Sequence, residues 1–204
     1  MNLSFEVQSS NISSMVTFYD DTRDVRISKI RELEKIVETH NTFTDKEFEN
    51  YSFYSYDFDW LLIHSLFISC FSYFEVFMRN TAIRIQHISK SKIKLTDLNG
   101  NGNLDCYRKY ISHIGEIKSA ENESKLWIEL MEYKAVRNSL IHSYGKIKKP
   151  LKVLDKYNSY TSPTKTTIRL KDIQFLKNFE KTSIIYMKRI AEEFEIKKEE
   201  NSFE

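Results

Sequence analysis

Residues 60–78, WLLIHSLFISCFSYFEVFM, hold one acid, Glu75, and neither lysine nor arginine. Wound as a helix they are apolar on almost every side, a pattern restricted to buried or membrane-spanning helices. The uncharged run from Trp60 to Phe74 is shorter than the ~20 residues that a span requires. His64, Ser65, Ser69 and Ser72 interrupt it as well. The stretch therefore reads as the central helix of a bundle, and the rest of the chain has to cover it.

The surrounding sequence supplies helices to do so. Only four glycines and two prolines occur in 204 residues, and none precedes residue 99. All-β folds need such residues at frequent turns, and Gly-rich phosphate loops and dinucleotide fingerprints need them at fixed spacing; both are excluded. An all-α, up-and-down bundle of about five helices is expected. The length suits a single domain over 1–204, able to bury a core without a disulfide or metal staple. Its expected core runs over about 15–195, with an acidic tail at 196–204.

Helical periodicity predicts a first helix over about 15–39, with Ile27, Ile30, Leu33 and Val37 inward and Asp20, Asp21 and Asp24 near its start. A second, over about 57–89, begins at Asp57 or Asp59. A short one covers Leu104 to Ile114, after the NGNGN loop and before Gly115. The fourth, about 122–144, carries Leu126, Leu130, Tyr133, Leu140 and Ile141 on one stripe, with Asn122 or Ser124 as cap. Gly145 ends it where a left-handed residue is wanted. The last, about 171–198, turns Leu176, Phe179, Ser183, Tyr186, Ile190 and Phe194 inward. KTTIRL, residues 165–170, reads as a short extended segment, and Pro163 marks a loop. No solenoid repeat is present.

Composition narrows the function classes. The net charge of +2 does not announce nucleic-acid binding, although residues 192–204 hold six acids against two lysines and leave the remainder basic. A hydrophobic content of 41% excludes a mainly disordered chain. Cys70 and Cys106 have no metal-ligand spacing, and the N-terminal residues carry no signal-peptide pattern. A reduced cytoplasmic protein without metal or cofactor is expected. His113 and Glu116 read as a surface pair, and His40 and His87 carry no signal. Aromatic residues crowd 43–77, including Phe53, Tyr54, Tyr56, Phe58 and Trp60. Base-stacking platforms use such residues, but packing of a central helix explains them more economically.

Chemistry concentrates in LWIELMEYKAVRNSLIHSYG, residues 126–145. Arg137 falls on the apolar stripe, where a charge must be paired, at an interface, or catalytic. Asn138 lies one turn before His142. Five helical steps set Arg137 and His142 about 140° apart, so they flank a shared groove or face a two-fold partner. A histidine moves protons near neutral pH, and an arginine fork matches phosphoryl oxygens. Together they suit attack of a ribose 2′-hydroxyl on its neighbouring phosphodiester, which needs a base, charge stabilisation and an acid. Lys146, Lys148, Lys149 and Lys152 follow directly and are placed to steer RNA, whereas Lys90, Lys92 and Lys94 end the second helix as lysines that solvate a loop.

Arg137-Asn138-Ser139-Leu140-Ile141-His142 resembles the signature of the HEPN superfamily: Arg, a polar residue, then His after a short interval. Its place late in the fourth helix of a small α-bundle is similar too. So is the earlier helix with a glutamate in an aromatic run (SCFSYFEVFMRN, residues 69–80). The resemblance implies a metal-independent endoribonuclease, dimeric through the motif helices, of the kind found in toxin–antitoxin, abortive-infection and other antiviral defence systems. It implies Arg137 and His142 as the catalytic pair, Asn138 as the polar second position and Glu75 as a supporting acid. With Tyr144 the string becomes Arg-x4-His-x-Tyr, which resembles toxins whose tyrosine is AMPylated by a nucleotidyltransferase antitoxin. The alternative is a non-catalytic helical module that binds RNA, a nucleotide or a partner protein. For Glu75 a simple pairing with Arg79 or Arg84 competes with an active-site role.

Overall fold

The computed structural model describes residues 3–40, 42–89, 91–100, 102–155, 157, 159 and 165–200. Among them the helices are α1 (Leu3–His40), α2 (Asp45–Ser52), α3 (Phe58–Ile88), α4 (Asn103–Lys109), α5 (Lys125–His142), α6 (Lys152–Asp155) and α7 (Ile173–Glu199). α2 and α3 are continuous through one π-helical turn, Phe53–Asp57, and a second π-turn, Tyr110–Ile114, extends α4. No strand forms among the described residues; a lone antiparallel bridge joins Lys146 to Thr167.

The central helix is α3. Ile63, Phe67, Cys70, Phe71, Phe74, Phe77, Met78 and Ile85 are fully buried at three- and four-residue spacing. Around it pack α1, α4, α5 and α7. The helix Asp45–Ile88 is long and apolar enough to cross a membrane by length and composition alone, but its phenylalanines are the centre of the bundle. Phe67 lies 4.9 Å from Phe175 and 5.2 Å from Phe179, ring centre to ring centre, and Tyr133 lies 5.1 Å from Phe179.

Contacts along the helices fix their directions. Cys70 Sγ reaches the Ile12 carbonyl at 3.8 Å while Asp59 takes the Tyr19 hydroxyl at 3.3 Å, so α1 and α3 are antiparallel. Phe67 meets Tyr133, and Trp60 lies near Leu140, so α5 runs against α3. Trp127 meets Tyr186 while Tyr133 meets Phe179, so α7 runs against α5. The result is an up-and-down bundle, as the scarcity of breakers implied.

Several boundaries differ from the sequence reading. α1 begins at Leu3, twelve residues early, because Gln8, Ile12, Val16 and Tyr19 form its best-buried stripe. Packing there outweighs the poor helix propensity of the SSNISS run. The predicted inward face of the second half is thinner: Leu33 is buried, whereas Ile27, Ile30 and Val37 are half-buried. α3 begins at Phe58 with Asp57 in the N-cap position, as expected, but Asp57 makes no side-chain cap bond there. Thr44 caps the longer helix instead, through a capping box with Glu47. Asp57 accepts from Trp60 Nε1 at 2.9 Å, and Asp59 pairs with Arg26. Ser124 stands at the start of α5 without a side-chain cap bond. Pro163, Lys90 and residues 201–204 lie outside the described residues.

Candidate functional site

The C-terminal end of α5 is held from three sides. The Ser143 and Gly145 amides both donate to the Ser139 carbonyl, at 2.9 and 3.0 Å, and the Ser139 hydroxyl donates to the Lys146 carbonyl at 2.9 Å. The expected extended segment then closes over it: Ile147 N donates to Thr166 O and Ile168 N to Gly145 O, both at 2.9 Å. Glu132 accepts the Val153 amide at 2.7 Å and ties down α6. Gly145 takes φ = +79°, the left-handed conformation anticipated for it, and Tyr144 just before it is left-handed too, at φ = +51°.

The buried stripe of α5 is Trp127, Leu130, Tyr133, Val136 and Ser139. The predicted stripe is corrected on this point: Leu126 and Leu140 are half-buried, and Ile141 faces solvent. The true stripe is rotated because α3 and α7 offer Phe67, Phe175 and Phe179 to Tyr133, whose large ring outranks the flanking leucines.

This rotation leaves Arg137 on the edge of the core rather than within it. Its side chain is 23% exposed, and Nη2 lies 3.5 Å from Oε2 of Glu75 on α3. Nη1 donates to Asn138 Oδ1 at 3.1 Å, while buried Nε has no hydrogen-bond partner among the described residues. Glu75 thus pairs across the helices with Arg137. Arg84 lies over the Phe194 ring, 5.1 Å from its centre. At 3.5 Å the Arg137–Glu75 contact is an ion pair with little hydrogen-bond character, so the fork is oriented but not consumed.

Asn138 faces two ways. It accepts from Arg137, and it lines a surface groove of about 340 Å³ together with His142, Lys146, Lys148 and Lys149. The structure thus brings Asn138, His142 and the three lysines to one groove, and connects Arg137 and Glu75 to it through Asn138. Arg137 does not itself line the groove. His142 is exposed, and no side chain among the described residues hydrogen-bonds its ring.

Other sequence candidates fall elsewhere. Glu116 is a surface residue, but its ion-pair partner is Lys197, at 3.1 Å, and not the His113 that the i, i+3 spacing offered. The aromatic run divides: Phe67, Phe71, Phe74 and Phe77 are core, but Phe48, Phe53 and Tyr56 are exposed and Trp60 is half-buried. Packing alone therefore does not account for the whole run. Among the described residues no three of the His, Cys, Asp and Glu side chains group to hold a metal ion. His64 stands in the sequence as one of the polar residues that interrupt the apolar run. In the fold its Nε2 accepts the Leu170 amide at 2.9 Å, pinning the extended segment to α3. The spacing of Trp60 and His64, one turn apart on α3, was the available signal; the partner segment, over one hundred residues away, was not visible.

No family model, curated protein or solved structure matches the chain.

Proposed function

We propose that the chain is a metal-independent endoribonuclease of HEPN type, as the Arg137–His142 string suggests. One observation carries the proposal most strongly: Glu75 of α3 orients Arg137, and Asn138 links that arginine to the groove where His142 and three lysines meet. Lysines there attract a polyanion. His142 takes the 2′-hydroxyl proton as O2′ bonds to phosphorus, and Arg137 neutralises charge building on the non-bridging oxygens. The P–O5′ bond breaks, and a protonated imidazole returns a proton to O5′. A 2′,3′-cyclic phosphate and a 5′-hydroxyl result.

One histidine does not reach both faces of the phosphate. A homodimer through α5 brings a second His142 and Arg137, and also supplies the orientation that His142 lacks among the described residues. By the same resemblance the setting is cytoplasmic, in phage defence or as a toxin held by an antitoxin. Tyr144, 95% exposed, is open to AMPylation by such a partner.

The test is an RNase assay in EDTA on tRNA and mRNA, with product ends analysed for cyclic phosphate. Arg137→Ala and His142→Ala are expected to lose at least 100-fold in rate, the range typical of removing an acid–base or charge-stabilising group. Undiminished cleavage by both folded variants overturns the proposal. The bare ring of His142 favours a second reading, a groove that binds RNA without turnover. That reading is selected if wild type binds RNA and never cleaves it.

A further inference from the structure

A second concavity, of about 400 Å³, opens on the other side of the last turn of α5 and is lined by Trp60, His64, Leu140, Tyr144, Thr167 and Arg169 among others. Its volume is within the range of small-molecule sites. Leu140 lies about 200° round the helix from Asn138 and from His142, which separates this concavity from the lysine-lined groove while keeping it next to the same helix end.

Three features of its wall are unusual together. The Arg169 guanidinium lies over the Trp60 ring, 4.4 Å from its centre, and pairs with no carboxylate among the described residues. A half-buried cation without a counter-charge is costly and invites an anion. Tyr144 presents its ring to solvent with 95% of its surface exposed, on a backbone at φ = +51°. A tyrosine gains nothing from that conformation, which costs about 1–2 kcal/mol for a residue with a Cβ, and an exposed aromatic ring gains nothing from solvent. Third, His64 packs edge-on to Trp60, ring centres 5.1 Å apart, and its Nε2 is occupied as an acceptor of the Leu170 amide. The neutral ring then carries its proton on Nδ1 and can act there as a donor. A cation, aromatic faces and a fixed neutral donor together match the phosphate, base and polar edge of a nucleotide.

We propose that this concavity is a nucleotide subsite of an RNA-binding path, with Arg169 pairing a phosphate and Tyr144 stacking on the unpaired base. The inference rests on the reading of the protein as acting on RNA, and it places one nucleotide of the strand beside the His142 end of α5. The chain then crosses from the subsite over Tyr144 to the lysine groove.

The probe is a 5′-fluorescein-labelled 2′-O-methyl RNA octamer, which binds but offers no 2′-hydroxyl to attack. Its affinity is read by anisotropy against full-length wild type, Tyr144→Asn and Arg169→Gln, with unlabelled AMP in a parallel competition. Asparagine tolerates the left-handed backbone, so Tyr144→Asn removes the ring and keeps the turn. Thermal melting by circular dichroism confirms that each variant is folded. Each substitution is expected to weaken octamer binding at least fivefold, the scale of losing one stacked base or one phosphate contact. Tryptophan emission is expected to fall on binding, because Trp60 lines the concavity while Trp127 is buried. Unchanged affinity in folded Tyr144→Asn, no octamer binding by wild type, or AMP binding as tight as the octamer each overturns the subsite. Cleavage of ordinary RNA is scored separately. Cleavage with unaltered octamer binding in the variants sinks the subsite alone, whereas weakened binding without any cleavage sinks the nuclease reading alone.

Discussion

At the scale of single residues, two side chains illustrate how context sets chemistry. Glu75 was one of several acids that a sequence offers an arginine; the fold gives it Arg137, sixty-two positions away, at 3.5 Å. His64 is the clearer physical case. Burial first, and the nearby Arg169 charge second, push its pKa down from 6.5 to about 4. The unfolded chain therefore binds a proton in the window from about 6.5 to 4 that the folded chain refuses. Stability from this group is complete above pH 6.5 and is lost as the pH falls toward 4. We expect wild type to lose about 2 kcal/mol more than His64→Gln between pH 7 and pH 4.5. Urea unfolding midpoints at the two pH values measure it. Equal pH dependence in the two proteins contradicts the assignment of a neutral, buried His64. Glutamine keeps an acceptor for the Leu170 amide, so the comparison isolates the titration.

At the scale of elements, the end of α5 depends on the turn that follows it. Gly145 at φ = +79° lets its carbonyl accept the Ile168 amide, and a Cβ there would lie 2.7 Å from the Ile168 carbonyl oxygen. Both the backbone strain and the clash oppose any other residue. Gly145→Ala is expected to lower stability by about 2 kcal/mol, seen as a melting temperature about 6 °C lower for a chain of this size. The proposed RNA binding should weaken in the same variant, since the Lys146–Lys149 segment follows the displaced turn. A melting temperature within 1 °C of wild type would show that the segment 165–170 yields without cost. Gly145 was identifiable as a helix stop from sequence; its antiparallel partner, and the second left-handed residue at Tyr144, were not.

At the scale of the whole molecule, the aromatic centre joins three helices. Phe179 of α7 is fully buried and lies 5.2, 5.6 and 5.1 Å from Phe67, Phe71 and Tyr133, ring centre to ring centre. Phe179→Ala leaves a cavity among rings that do not collapse easily, and is expected to cost about 3–5 kcal/mol. Because α3 and α5 share this centre, the loss should also loosen the Arg137–Glu75 register. Chemical denaturation with a matched activity assay tests both. A loss under 1 kcal/mol would mean that α7 packs without this ring. Cys70, in the same core, is shielded likewise; burial pushes its thiol up to about 12, which makes it a packing residue rather than a nucleophile.

Sequence alone determined the class of this protein. The scarcity of breakers, the all-round apolar stretch at 60–78 and the spacing of Leu176, Phe179, Ser183, Tyr186, Ile190 and Phe194 are local properties, and local periodicity is what a helix expresses. It also singled out the proposed site, since Arg137, Asn138 and His142 share one short string. Tertiary structure alone decided the rest. Which acid meets Arg137, which face of α5 is buried, and that Trp60, His64 and Arg169 form one wall all depend on contacts between residues distant in sequence. Those contacts are selected by packing of the aromatic core, and no spacing within a single helix encodes them.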